Sequence, residues 1–257
     1  MRLAIALFVA VAAVILTPAA ASADWDIGDP MKMHYPQLPD VGPNGVDVDM
    51  SQNYLADDFQ CTSTGPITDI HLWGSWKNDS IVDPNHVVFD VKIYSDQPRD
   101  PLNPASYSQP LTELWSKQIS STGFTSRLWA GDLTEAYWDP ITGTHTGDTK
   151  CYQYNITLSP SEAFTQTEGA IYWLAVAAIP LEGDTAFGWK TSVNHFNDDA
   201  VYWNYNVTPA LWTDLTYPSW HSLNGESMDL AFVITPEPAT LTLLALGGLA
   251  LWRRRKA

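Results

Sequence analysis

Two acidic runs stand out: Asp57-Asp58 within Leu-Ala-Asp-Asp-Phe-Gln, and Asp198-Asp199 directly after Asn197. Carboxylates and amide carbonyls are the hard oxygen donors that calcium gathers, about six to eight at a time. Asn197, Asp198 and Asp199 are therefore the candidate calcium ligands, and Asp57 and Asp58 are candidate ligand-binding residues. A structural reading competes with this one. Adjacent acids at a strand entrance alternate faces and often bond local backbone N–H groups. The chain contains neither an EF-hand loop nor the Gly/Asp nonapeptide of calcium-binding β-rolls.

The chain has 12 tryptophans. Trp73 and Trp76 lie in Trp-Gly-Ser-Trp, and Trp189 lies in Gly-Trp-Lys-Thr-Ser. Flat indole faces on a sheet can stack on pyranose rings, so these three are candidate sugar contacts. Their spacing sets a limit on that reading. Residues three apart on a strand face opposite sides, which sends at least one of Trp73 and Trp76 into a core.

Catalysis has the least support. The sequence holds no Gly-x-Ser-x-Gly elbow, no His-Glu-x-x-His helix and no phosphate-cradling glycine loop. Its 6 histidines are scattered without helical ligand spacing. A polysaccharide hydrolase or lyase rests only on abundant carboxylates, which sequence cannot pair. No catalytic residue is assigned, and a non-enzymatic protein is expected.

Those residues need elements to hold them. Short runs of β-branched and aromatic residues recur at 54–60, 67–76, 86–95, 111–119, 124–129, 151–158, 171–178, 186–190, 200–205 and 228–234. Period two dominates within them, and Asp-Pro, Asn-Pro and Gly-Asp clusters separate them. No segment sustains a helical period. The pattern predicts an all-β fold, an antiparallel β-sandwich of jelly-roll type spanning 54–235. Before it, 24–53 is rich in Asp, Pro and Gly and reads as an irregular N-terminal arm.

Between residues 24 and 235 there are 8 Lys and Arg against 28 Asp and Glu. A field of that sign repels phosphate backbones, which excludes nucleic acid as a partner. Aromatic and β-branched residues run throughout, unlike a disordered acidic chain. Only Cys61 and Cys151 occur. In an exported protein a disulfide between them is the default reading, and two separate buried thiols are the alternative.

Export is read from the N-terminus. Residues 1–23 carry Arg2, an apolar run and the triplet Ala21-Ser22-Ala23, the three parts of a cleavable signal peptide recognised at Ala21 and Ala23. The Sec translocon is the partner this implies. At the other end, 236–257 hold Pro236-Glu237-Pro238, the apolar run 239–252, and Arg253, Arg254, Arg255 and Lys256.

This tail resembles the PEP-CTERM sorting signal of Gram-negative bacteria with extracellular polysaccharide systems. The resemblance implies an exosortase-like protease that cuts near Pro-Glu-Pro after transient anchoring in the inner membrane. The tail is expected to form a short hydrophobic helix. The 14 residues of 239–252 would reach ~21 Å against a ~30 Å hydrocarbon core, so the arginines must snorkel or the bilayer thin locally. The basic cluster would stay cytoplasmic. The Ala-Asp-Asp-Phe, Trp-Gly-Ser-Trp and Gly-Trp-Lys-Thr-Ser segments further resemble a group of exported β-sandwich domains often paired with this tail. That likeness implies fold and location but no mechanism.

Overall fold

The computed structural model describes residues 24–235, apart from 52, 82, 104, 105 and 184. The signal peptide with Ala21 and Ala23, the sorting residues Pro236, Glu237, Pro238, Arg253, Arg254 and Arg255, and the expected C-terminal helix lie outside the described residues. The first strands are β1 (Val46–Asp49), β2 (Leu55–Gln60), β3 (Gly65–Pro66), β4 (Asp69–Trp76), β5 (Val87–Gln97) and β6 (Gln109–Ile119). Next come β7 (Phe124–Ala130), β8 (Glu135–Trp138), β9 (His145–Asp148), β10 (Cys151–Thr157), β11 (Thr165–Gln166) and β12 (Ile171–Pro180). The last are β13 (Phe187–Lys190), β14 (Val201–Asn204), β15 (Leu211–Asp214) and β16 (Phe232–Thr235).

One sheet runs β7-β10-β4-β13-β1-β8-β9, with β16 also on β4, and the other runs β15-β14-β2-β12-β5-β6. Eight of these strands form the frame. Counting β1, β2, β4, β5, β6, β10, β12 and β13 as first to eighth, one sheet reads first-eighth-third-sixth and the other second-seventh-fourth-fifth. That nested order is a jelly roll, the expected sandwich. The pairing is antiparallel except between β1 and β8, which run parallel.

The core lies between the sheets. Phe89 of β5 meets Tyr154 of β10 at 5.2 Å and Phe187 of β13 at 5.6 Å, and Trp76 packs on Phe187 at 5.1 Å. These edge-to-face contacts suit the ring quadrupoles. The opposite face of β4 is covered too, so all eight of its residues are buried. Trp25 sets its ring 5.9 Å from Trp73, and its carbonyl accepts from Gln153 Nε2 and Arg127 Nη2, both at 2.7 Å.

The arm is not wholly irregular. Residues 24–45 run without long strands, but Val46–Asp49 form β1, hydrogen-bonded between β13 and β8 in the middle of a sheet. The Val-Asp-Val-Asp alternation supplies period two, and Gly45 permits the entry. A Cβ at 45 would lie 2.1 Å from the Asp40 carbonyl oxygen.

Candidate functional site

Alternation along β13 turns Phe187 and Trp189 into the core and Gly188 and Lys190 to the other face of the sheet. Asp47 is the cross-strand partner of Lys190. Lys190 Nζ donates to Asp47 Oδ2 at 3.0 Å and also to Glu135 Oε2 on β8; both side-chain pairs are fully buried. Asp148 of β9 accepts from Ser75 Oγ at 3.0 Å, and carboxylate oxygens of Asp47, Glu135 and Asp148 lie within 4.8 Å of one another. One lysine thus faces three buried acids.

The electrostatics follow from desolvation, which penalises every charge in the box. Burial pushes the Asp47 carboxyl up, Glu135 to about 7 and Asp148 to about 9, with Asp47 repelling the latter two and Lys190 partly offsetting both. Burial alone would lower the Lys190 ammonium, but Asp47 and Glu135 outweigh it and hold its pKa above the ordinary value. Asp47 Oδ1, Glu135 Oε1 and Asp148 Oδ1 have no hydrogen-bond partner. Glu135 also borders an open cleft of about 330 Å³ lined by Pro43, Thr134, Ala136, Trp220, His221 and Ser222. In that cleft Trp220 is stacked on His145 at 4.2 Å.

The two acidic runs singled out by the sequence meet in the structure. Asn197, at φ 55°, donates its side-chain amide to Asp58 Oδ2. Asp57 Oδ2 accepts from Gln37 Nε2 at 2.8 Å and from the Leu230 N–H at 2.6 Å. Asp198 accepts from Ser108 and Asp199 from Ser227. Asp229, between them, accepts from the Phe196 N–H at 2.6 Å and lies 3.3 Å from His195 Nδ1. Burial, reinforced by neighbouring acids, pushes Asp58 up to about 8 and Asp57 well above the usual carboxylate range. Each of these acids accepts from a protein donor, while Asp58 Oδ1 has no hydrogen-bond partner. Among the described residues the acids with ligand spacing are Asp47, Glu135 and Asp148.

The three tryptophans are packing residues. Trp73, Trp76 and Trp189 are at most 1% exposed, so no sugar reaches their faces. Trp76 Nε1 donates to Tyr154 Oη at 3.0 Å and Trp189 Nε1 to the Ala231 carbonyl at 2.8 Å.

The expected disulfide is absent, and Cys61 and Cys151 are separate buried thiols. Cys61 bridges Met33, which touches Ile234, the partner of Ile70 near the start of β4. Cys151 enters β10 beside the end of β4, where Tyr152 pairs with Gly74. About five residues of strand, roughly 17 Å, separate the two ends, and a disulfide needs Cα atoms within ~7 Å. Burial pushes the Cys61 thiol up to about 12 and Cys151 well above its usual range, which keeps both inert.

A family model described as "Domain of unknown function (DUF7901)" matches residues 33–235. The chain belongs to this family. The match covers β1 to β16, so the arm from Met33 onward is part of the DUF7901 domain. The PEP-CTERM protein-sorting motif matches residues 235–256. The DUF7901 domain is therefore exported, held briefly in the membrane by its C-terminus, cut by exosortase, and delivered to the cell surface or beyond. No curated protein and no solved structure matches the chain.

Sequence reasoning passed over the Lys190 box. Asp47 lay in the segment read as irregular, and Lys190 sits in Phe-Gly-Trp-Lys where a solvent-facing lysine is the ordinary expectation. One signal was available: Gly74 and Gly188 fall on paired strands. A Cβ at 188 would lie 2.9 Å from Asp47 Cβ, and one at 74 only 2.3 Å from the Gly188 carbonyl oxygen. Paired strand glycines mark close approach.

Proposed function

We propose that the mature DUF7901 domain is a non-enzymatic component of the cell surface or extracellular matrix, with its specificity in where it is sent. The observation that carries this reading is where its reactive side chains lie. Asp57, Asp58, Asp47, Lys190 and the three central tryptophans are buried, and the four charged side chains among them are hydrogen-bonded to protein groups, not arrayed around a substrate cleft. Such networks hold a fold in one arrangement. The test follows the protein. Replacing Pro236-Glu237-Pro238 by alanines leaves uncleaved precursor in the inner membrane, and the purified mature domain leaves the host polysaccharide and simple esters intact. Normal release of the variant, or turnover by the domain, refutes the corresponding half.

A second reading, binding of extracellular polysaccharide, is favoured by the cleft beside Glu135. Trp220, His221 and Ser222 there offer an aromatic ring, an imidazole and a hydroxyl within one open depression. A glycan array with the parent and with Trp220→Ala decides it. Saturable binding lost in the variant supports the module, and no binding by the parent removes it.

A further inference from the structure

We propose that Lys190 and Asp47 condense into an intramolecular isopeptide bond, Lys190 Nζ to Asp47 Cγ, with Glu135 carrying the proton. The proposal is independent of whether the domain binds a glycan.

The geometry is that of reactants already placed. Lys190 Nζ stands 3.0 Å from Asp47 Oδ2, in hydrogen-bond contact with the carboxyl whose Cγ, one bond from that oxygen, it attacks. Strand register enforces it. The Thr191 N–H donates to the Val46 carbonyl at 2.9 Å, which makes 46/191 a hydrogen-bonded pair and leaves Asp47/Lys190 on the adjacent, non-hydrogen-bonded pair. Side chains of that kind of pair stand closer together. Glycine removes the remaining obstacles: a Cβ at 45 would lie 3.0 Å from Lys190 Nζ, and one at 188 would press on Asp47 Cβ. Both partners are fully buried on central strands, so neither side chain has room to turn away.

The proton inventory balances within the box. Lys190 begins as the ammonium, Glu135 as the carboxylate and Asp47 as the neutral acid. Glu135, already accepting from Nζ, takes one proton and frees the amine lone pair, which attacks Asp47 Cγ. The C–N bond forms. Glu135 then passes its proton to the departing Asp47 hydroxyl, the C–O bond breaks, and water leaves. The second nitrogen proton moves to Glu135, which ends as the neutral acid beside a neutral amide. No oxidant, reductant or co-reactant is needed. Desolvation drives the change, because an ammonium and a carboxylate are replaced by uncharged groups in a dry interior. Burial already holds Asp47 and Asp148 toward their neutral forms, with Asp148 at about 9. The open cleft that Glu135 borders gives the released water an exit.

The consequence suits an exported domain whose two cysteines are unpaired. The bond would join β1 to β13, closing a loop across 143 positions without dependence on redox state.

The experiment is mass spectrometry of the mature protein, purified after export from the full chain and denatured before injection. The expected mass is one water below that of the mature sequence, and proteolysis yields a branched peptide joining the segments that contain Asp47 and Lys190. The full sequence mass, with Lys190 in an ordinary linear peptide, overturns the proposal. So does a missing water with no such branch. Glu135→Gln preserves shape and removes the proton carrier. It should show the full mass while circular dichroism and urea unfolding report a folded domain. The same branched peptide in that variant overturns the role given to Glu135. Lys190→Arg, with full mass and no branch, fixes the nitrogen donor should Glu135→Gln fail to fold.

Discussion

Asn197 donates its side-chain amide to Asp58, joining two acidic runs that stand 139 positions apart in the chain. The contact ties the loop before β14 to β2 and holds a buried carboxyl that Asp229, Asp198 and Asp96 repel. Burial first, then that repulsion, raises Asp58 from 3.8 to about 8. The folded state therefore keeps a proton that the unfolded chain has lost between those values. Its contribution to stability is complete below the unfolded pKa and is lost as pH rises through the folded one.

A pH dependence follows. Glu135, pushed to about 7, and Asp148, pushed to about 9, act in the same direction, whereas His34, held down to about 4 by burial, acts in the opposite sense between about 4 and 6.5. Stability in urea should be greatest in mildly acidic buffer and fall toward about pH 9, each group contributing at most about 1.4 kcal/mol per pH unit. Asp58→Asn should flatten the fall. A urea midpoint that rises from about pH 6 to 9 would contradict the assignment.

Asp57 gives a sharper mutational contrast. Its Oδ2 satisfies both Gln37 Nε2 and the Leu230 N–H in a fully buried setting. Asp57→Ala strands both donors and should cost about 2–4 kcal/mol. Because the native carboxyl is held toward its neutral form, Asp57→Asn retains an oxygen acceptor and loses no charge, so it should cost clearly less. Equal losses in urea unfolding would argue that Asp57 is ionised in the fold.

The sandwich was legible in the sequence because its strands alternate in the ordinary way. All ten segments read from period two contain or overlap a strand, from Leu55–Gln60 to Phe232–Thr235. Val46–Asp49 was missed because it follows Pro36, Pro39, Gly42, Pro43 and Gly45, whose turn signals dominate any window that contains it. The hairpin of β8 and β9 was missed because Asp139-Pro140 and Gly143 were legible as a turn while Glu135–Trp138 and His145–Asp148 are too short to show a period. The site was less legible for a related reason. Polar residues at alternate strand positions signal a solvated face, yet Asp47, Lys190, His71 and Ser75 occupy a face that other segments cover. Nothing in a strand's own pattern records what lies on top of it.

The cysteines offer a direct chemical count. With Cys61 and Cys151 apart and buried, the native domain should resist a thiol reagent, and the denatured domain should expose two thiols per chain with no reductant added. The parent domain should melt at the same temperature with and without reductant. A denatured chain that yields no thiols until reduced would mean that the two sulfurs had been joined.

Tryptophan substitutions separate packing from recognition. Trp76 has its ring 5.1 Å from Phe187 and its Nε1 bonded to Tyr154 Oη, so Trp76→Ala removes a large core side chain and one of the two hydrogen bonds of that hydroxyl, which keeps its bond to the Pro84 carbonyl. The expected cost is about 3–5 kcal/mol. Trp220 is only partly buried at the rim of the cleft, and Trp220→Ala should cost about 1 kcal/mol or less. If the cleft holds a sugar, glycan affinity should respond in the opposite order: lost with Trp220, and retained by whatever fraction of Trp76→Ala remains folded. Urea unfolding and glycan titration on the same two proteins measure both. Unchanged affinity in Trp220→Ala would remove the cleft from consideration while leaving the fold argument for Trp76 intact.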